Sequence, residues 1–282
     1  MIISKIGVIG SGQMGRGIAQ VAAFSGLEVY LYDVLPESLN NAVEFIQSQL
    51  DRGVQKNKWT ENEAKLAINN LKPVKSLEEM SGCDLIIEAA TENKKIKLEI
   101  FSQLSKVVNP ACILASNTSS ISITEIAAAT DRPEKVIGMH FMNPVPLMKL
   151  VEGIRGLETS DDTYERVKHT AEKMGKVFIT VNDMPGFAVN RILMPMINEA
   201  IFTLQEGVAT IEDIDTAMKL GTNVPMGPLE LADFIGLDTC LAIMNVLFDG
   251  IGDTKYRPSP LLKQYVASGR LGRKSKRGFY EY

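Results

Sequence analysis

Cysteine and histidine are both scarce in this chain. The three cysteines, Cys83, Cys112 and Cys240, are odd in number, widely spaced and set among apolar neighbours. Without a CxxC pair they give no disulfide framework, and reduced, buried thiols are expected. There are two histidines, His140 and His169, and no HExxH, so the expectation for metal is none. No apolar run reaches the ~18 residues of a membrane span. Met1 to Lys5 lead directly into a strand pattern with no charged segment ahead of an apolar one, so neither a signal peptide nor membrane attachment is expected, and the location expected is cytoplasmic. A net charge of -4 gives no general attraction to nucleic acid or anionic membranes, so a polyanionic ligand needs a local basic patch. What is present is an ordinary globular balance, 45% hydrophobic and 23% charged over 282 residues, with length enough for two cores.

Apolar runs alternate with helical periodicity through the first two-thirds of the chain. Strands are expected at Lys5 to Ile9, Glu28 to Tyr32, Asp84 to Ala89, Cys112 to Ala115, Val136 to Phe141, Lys149 to Ile154 and Val177 to Val181. Leu39, Ala42, Val43, Ile46 and Leu50 keep the spacing of one buried helical face, as do Ile96, Ile100, Phe101, Leu104 and Val108. Thr60 with Glu63, and Ser122 with Glu125, have the spacing of capping boxes. After Asp183-Met184-Pro185-Gly186 the pattern is helical. Ile192 to Leu204 is apolar almost all round, which predicts a helix buried on every side, in a core or a subunit interface.

Gly10-Ser11-Gly12-Gln13-Met14-Gly15 fits GxGxxG, directly after a strand pattern and opening a helix. Gly10 permits the tight turn, Gly12 lets backbone approach a pyrophosphate, and Gly15 lets helix and strand pack closely. The helix N-terminus offers unpaired N–H groups and partial positive charge to the phosphates. Asp33 ends the second strand, where a carboxylate accepts from ribose hydroxyls and repels a 2'-phosphate, favouring NAD over NADP. Strand–helix alternation and this motif predict an α/β fold: an N-terminal Rossmann-type doubly wound, mostly parallel sheet over residues 1–184, then an all-α domain over 185–282.

His169 falls in a surface helix pattern beside lysines. His140 ends an apolar strand, in Met139-His140-Phe141-Met142-Asn143-Pro144. A lone histidine there is ordinarily a satisfied core residue. The C-terminal strand ends of such a sheet, however, form the ligand crevice, and oxidation of an alcohol needs a base that works near neutral pH. Glu152, on the next strand pattern, suits a partner that fixes the imidazole tautomer, although a lone glutamate there is more often a surface residue. Ser116-Asn117-Thr118-Ser119-Ser120 follows another strand end, either as part of a site or as a polar loop.

These residues resemble the (S)-3-hydroxyacyl-CoA dehydrogenase family, in its short-chain bacterial form. The resemblance spans the whole chain: Gly10 to Gly15, Glu88 to Asn93, Ser116 to Ser120, His140 to Pro144, Pro185 to Arg191, Asp213 to Met218, Met226 to Pro228, and Gly278-Phe279-Tyr280. It implies NAD-dependent interconversion of (S)-3-hydroxybutyryl-CoA and acetoacetyl-CoA. His140 is then the general base, Glu152 its partner, and Ser119 and Asn190 hold the substrate oxygens. Glu92, Lys97, Asn143 and Lys274 match positions lining the cofactor, and Lys56, with Arg52 one turn earlier, is a candidate for the coenzyme A phosphates. Arg270, Arg273, Lys274, Lys276 and Arg277 form a second basic cluster that is either a further anion site or a solvated face. The resemblance and the apolar Ile192 to Leu204 helix imply a homodimer or a dimer of dimers. Two rivals share the dinucleotide motif: a dehydrogenase of a small free 3-hydroxy acid, which typically uses a lysine in the helical domain, and a non-catalytic dinucleotide-binding protein.

Overall fold

A computed structural model describes residues 2–282. The first compact unit ends at Asp183 and the second runs from Met184 to Tyr282. In chain order the first holds β1 (Lys5–Ile9), α1 (Gln13–Phe24), β2 (Glu28–Tyr32), α2 (Pro36–Gln55), α3 (Glu61–Asn70), β3 (Leu71–Pro73), β4 (Leu85–Glu88), α4 (Lys94–Val107), β5 (Ile113–Ser116), α5 (Ile123–Ala128), β6 (Val136–Phe141), β7 (Leu150–Arg155), α6 (Asp161–Lys173) and β8 (Val177–Asn182). The eight strands form one sheet in the order β3-β2-β1-β4-β5-β6-β7-β8. All neighbours pair in parallel except β6 and β7, which are antiparallel. The expected strands are therefore present. Two features escape the hydrophobic pattern: β3, too short to alternate, and the reversal at β7, which periodicity does not report.

Register assigns the faces. Ile6 and Val8 stand beside Leu85 and Ile87, which stand beside Ile113 and Ala115. This face joins Ile18, Ala19 and Ala22 of α1, Leu39, Ile46 and Leu50 of α2, and Val167 and Ala171 of α6 in one core. Each fully buried Val, Leu or Ile among them contributes roughly 1.5–3 kcal/mol. The opposite face carries Gly7, Ile86 and Gly138. A Cβ on Gly138 would lie 3.0 Å from Ile123 of α5, which shows a helix covering this side as well. Thr60 and Glu63 close a full capping box on α3. The second box is only half made: Ser122 accepts from the Glu125 N–H at 3.3 Å, but the Glu125 carboxylate turns to Lys94 at 2.8 Å.

The second unit is helical: α7 (Val189–Gln205), α8 (Ile211–Thr222), α9 (Pro228–Ile235), α10 (Leu237–Ile251) and α11 (Pro260–Ala267). The expectation of a helix buried all round fails within the chain. Met194, Ile197 and Ile201 of α7 enter the core, but Ile192 is 73% exposed. Two buried aspartates organise the rest. Asp215 accepts from Leu229 N and Glu230 N, at 2.8 and 2.9 Å, at the start of α9, and from Tyr280 Oη. Asp233 accepts from Phe279 N and Tyr280 N, both at 2.9 Å, and so docks the C-terminal segment. Among the described residues no single helix is long and apolar enough to cross a membrane.

A buried ion pair ends the central strands. Glu88, the last residue of β4, and Lys97 of α4 are 0% and 1% exposed, with Lys97 Nζ 2.7 and 2.8 Å from the two carboxylate oxygens. Removing one member of such a pair strands the other charge away from water. Lys97→Met is expected to cost about 3–5 kcal/mol in urea denaturation, while Lys97→Met with Glu88→Leu recovers most of the loss. A single variant of wild-type stability would show the pair to be water-accessible. The three cysteines are buried and free, and burial pushes each thiol up to about 12. At about pH 8 iodoacetamide should therefore modify none in the native protein and all three after denaturation, as counted by mass spectrometry. An adduct on the native protein would contradict that burial.

Candidate active site

The turn after β1 is built on three different demands for glycine. Gly10 has φ +92, and a Cβ there would meet the Ala89 carbonyl at 2.6 Å. A Cβ on Gly15 would stand 1.7 Å from the Gly10 carbonyl oxygen, so α1 could not pack against the turn. At Gly12 a Cβ would meet nothing within 4 Å: the space beyond the backbone is open. Gly12 is also the N-cap of α1 and supplies no side chain to the first N–H groups. Gly10, Gly12, Gln13, Met14 and Asp33 line one cavity of about 580 Å³, with Tyr32, Ala89 and Thr91 among its other walls. Asp33 also braces the turn, accepting from Ser11 N at 2.7 Å and Ser11 Oγ at 2.8 Å. An open backbone cradle at a helix N-terminus, with a carboxylate at the next strand end, fits a dinucleotide pyrophosphate and its ribose.

The ends of β4, β5, β6 and β7 bring polar groups onto one face. Glu88 pairs with Ser116 in the sheet, and His140 is directly opposite Glu152 across the antiparallel pair. Ser116 Oγ donates to Glu88 at 2.6 Å. His140 Nδ1 lies 2.7 Å from Glu152 Oε2, and His140 Nε2 lies 3.3 Å from Ser119 Oγ. Both His140 and Glu152 are buried, at 6% and 0% exposure. A carboxylate only accepts, so Nδ1 carries a hydrogen, and in the neutral imidazole Nε2 is then the acceptor facing Ser119. Asn117 Oδ1 accepts from Phe141 N at 2.9 Å and ties the loop after β5 to β6. Such a line of groups can take up and return a proton at Nε2.

A second cavity, of about 350 Å³, lies between α1, α2 and the segment after β6. Gln13, Arg16, Gly17 and Gln20 reach it from α1, and Phe45, Gln49, Arg52 and Gly53 from α2, each set on one helical face. Lys56 and Lys58 join Arg16 and Arg52, and no acidic residue lines it. The Arg16 guanidinium lies 3.8 Å over the Phe45 ring. The opposite wall is Asn143 to Leu147. Lys176 supports that wall, donating to Val145 O at 2.5 Å and Met148 O at 2.9 Å, and burial lowers the pKa of its ammonium. Arg52 and Lys56 are thus brought together as expected. Arg16 and Lys58 also line this cavity, and the only sequence signal for Arg16 is the helical spacing of Gln13, Arg16 and Gln20.

The remaining expected residues have the following places. Asn143 lines the basic cavity rather than the 580 Å³ one. Lys97 is buried on Glu88 and is not among the residues lining either cavity. Glu92 turns its carboxylate to the loop after β5. Asn190 is buried in the first turn of α7, in the second unit. Lys274 donates to Asp238 at 2.6 Å, and Arg273 and Arg277 pair with Glu230 and Glu281, so most of the C-terminal basic cluster is neutralised locally. His169 is exposed on α6. Among the described residues no group of three or more His, Cys, Asp or Glu side chains could hold a metal ion.

Residues 5–184 match the NAD-binding domain of 3-hydroxyacyl-CoA dehydrogenase, and residues 186–282 match its C-terminal domain. A probable 3-hydroxybutyryl-CoA dehydrogenase of Bacillus subtilis is 58% identical over 282 residues, covering 100% of this chain and 98% of the relative. A 3-hydroxybutyryl-CoA dehydrogenase of Bradyrhizobium diazoefficiens is 56% identical over 281 residues, covering 100% and 96%. The crystal structure of (S)-3-hydroxybutyryl-CoA dehydrogenase from Ralstonia eutropha superposes with a TM-score of 0.97 at 50% identity, covering 99% of each chain. With an NAD-binding first unit and a matching helical second unit, the chain belongs to the 3-hydroxyacyl-CoA dehydrogenase family of oxidoreductases.

Proposed function

We propose that the protein interconverts (S)-3-hydroxybutyryl-CoA and acetoacetyl-CoA, with His140 as general acid and base. The observation that carries this reading is the line Ser119 Oγ, His140 Nε2, His140 Nδ1 and Glu152, at 3.3 and 2.7 Å, on the ends of the sheet. NAD, when bound, supplies the carbon that accepts hydride from C3 of the substrate. His140 Nε2 removes the 3-hydroxyl proton, and Glu152 holds the tautomer and stabilises the imidazolium that results. Ser119 donates to the same oxygen and fixes it at Nε2. In the reductive direction the protonated imidazole returns the proton to the 3-oxo group. Asn190 keeps its assignment to the substrate oxygens on family resemblance alone.

The basic cavity supports a coenzyme A ester over a free acid. Four cations around about 350 Å³, with no acidic lining residue, suit phosphate groups in a chain whose net charge is -4. Arg52 and Lys56 also sit at the C-terminal end of α2, where cations steady the helix dipole, so the two roles coincide. The relatives named for 3-hydroxybutyryl-CoA point the same way. A homodimer through the helical unit is proposed with it, since Ile192, Val208 and Leu220 leave apolar side chains on that unit's surface.

His140→Ala should lose roughly two to four orders of magnitude in kcat with acetoacetyl-CoA and NADH, while NADH fluorescence titration gives an unchanged Kd. Near-normal turnover would remove His140 from the chemistry. In Arg52→Ala/Lys56→Ala, KM for acetoacetyl-CoA should rise about tenfold or more, and less so as salt is raised, with KM for NADH unmoved. A wild-type enzyme that oxidises free 3-hydroxybutyrate as fast as its coenzyme A ester would overturn the substrate assignment.

A further inference from the structure

Glu92 lies in the turn between β4 and α4, and one of its carboxylate oxygens gathers the loop that carries Ser119. Glu92 Oε1 accepts from Thr118 Oγ1 at 2.7 Å, Ser119 N at 2.8 Å, Ser120 Oγ at 3.0 Å and Ser120 N at 3.1 Å. Thr118 Oγ1, oriented by that bond, accepts in turn from Ile121 N at 2.9 Å. The other oxygen, Oε2, faces Lys97 Nζ at 3.5 Å, and Lys97 is itself anchored on buried Glu88. Successive N–H groups converging on one anion form a stiff concave turn.

We propose that Glu92 is a positioning residue for Ser119. It fixes the Ser119 backbone so that the hydroxyl stands at His140 Nε2, and Lys97 holds Glu92 in place from behind. This rests on the reading of Ser119 and His140 given above and adds a residue that holds Ser119 by its backbone N–H. Glu92 is half exposed, so without it the freed N–H groups turn to water and the loop shifts while the fold stays. A displacement of the order of 1 Å at a reacting group is worth about 100-fold in rate.

Steady-state kinetics on the full-length enzyme with acetoacetyl-CoA and NADH tests this. Glu92→Ala should lower kcat by about 10- to 100-fold and keep the thermal midpoint close to wild type. Glu92→Gln, which retains an acceptor oxygen, should recover most of kcat. In a Ser119→Ala background Glu92→Ala should add less than about threefold, because its effect runs through the absent hydroxyl. A Glu92→Ala variant with unchanged kcat, or losses that multiply with those of Ser119→Ala, would overturn the assignment. Unchanged kcat in Ser119→Ala alone would instead overturn the reading of Ser119 on which it rests.

Discussion

β7 runs antiparallel to β6, and the polar end of the sheet depends on that reversal. It places Glu152 opposite His140, where a carboxylate and an imidazole can meet at 2.7 Å without either leaving its strand. A parallel crossover would have needed a helix between them and a different register. Because side chains alternate, the face that carries His140 and Glu152 is also the face of Ser116 and Glu88. Four polar residues thus end up on one buried face of the sheet, with Lys97 paired to Glu88. Each is held by a hydrogen bond or ion pair, which is what allows so many to be buried.

The first unit presents two electropositive surfaces of different make. The glycine turn offers backbone: no side chain caps α1, and the space beyond Gly12 is open. The α1–α2 cavity offers side chains, with two arginines and two lysines in an acidic protein. Gln13 lines both cavities, so α1 serves one with its N-terminus and the other with its flank. Gly17 makes the second arrangement possible, since a Cβ there would press on Val145 at 3.0 Å and push the facing segment away.

The resemblance-bearing motifs of the second unit have a plainer explanation. Asp215 and Asp233 are each about 1% exposed and hold, respectively, the start of α9 and the last residues of the chain. A Cβ on Gly227 would collide with Asp215 at 2.3 Å, and one on Gly278 with Asp233 at 1.9 Å. Asp213 to Met218, Met226 to Pro228 and Gly278 to Tyr280 are therefore tied to burying two carboxylates with their hydrogen bonds complete. The burial of Asp233 raises its pKa against the pull of those bonds.

Local pattern carried much of the architecture. Strand and helix periodicity, the full capping box at Thr60 and the glycine turn with Asp33 are all short-range properties, and all are visible along the chain. The sequence by itself determined an alternating α/β unit with a dinucleotide turn followed by a helical unit. Tertiary structure decided what lies opposite what. The pairing of His140 with Glu152 follows from a strand's direction, and the convergence of Arg16 with Arg52 and Lys56 from the packing of two helices. The turning of Glu92 toward Ser119, and of Lys97 into the interior, follows from where two loops meet. Periodicity specifies which face of an element is buried, whereas direction, register and loop contacts are fixed only when the elements pack.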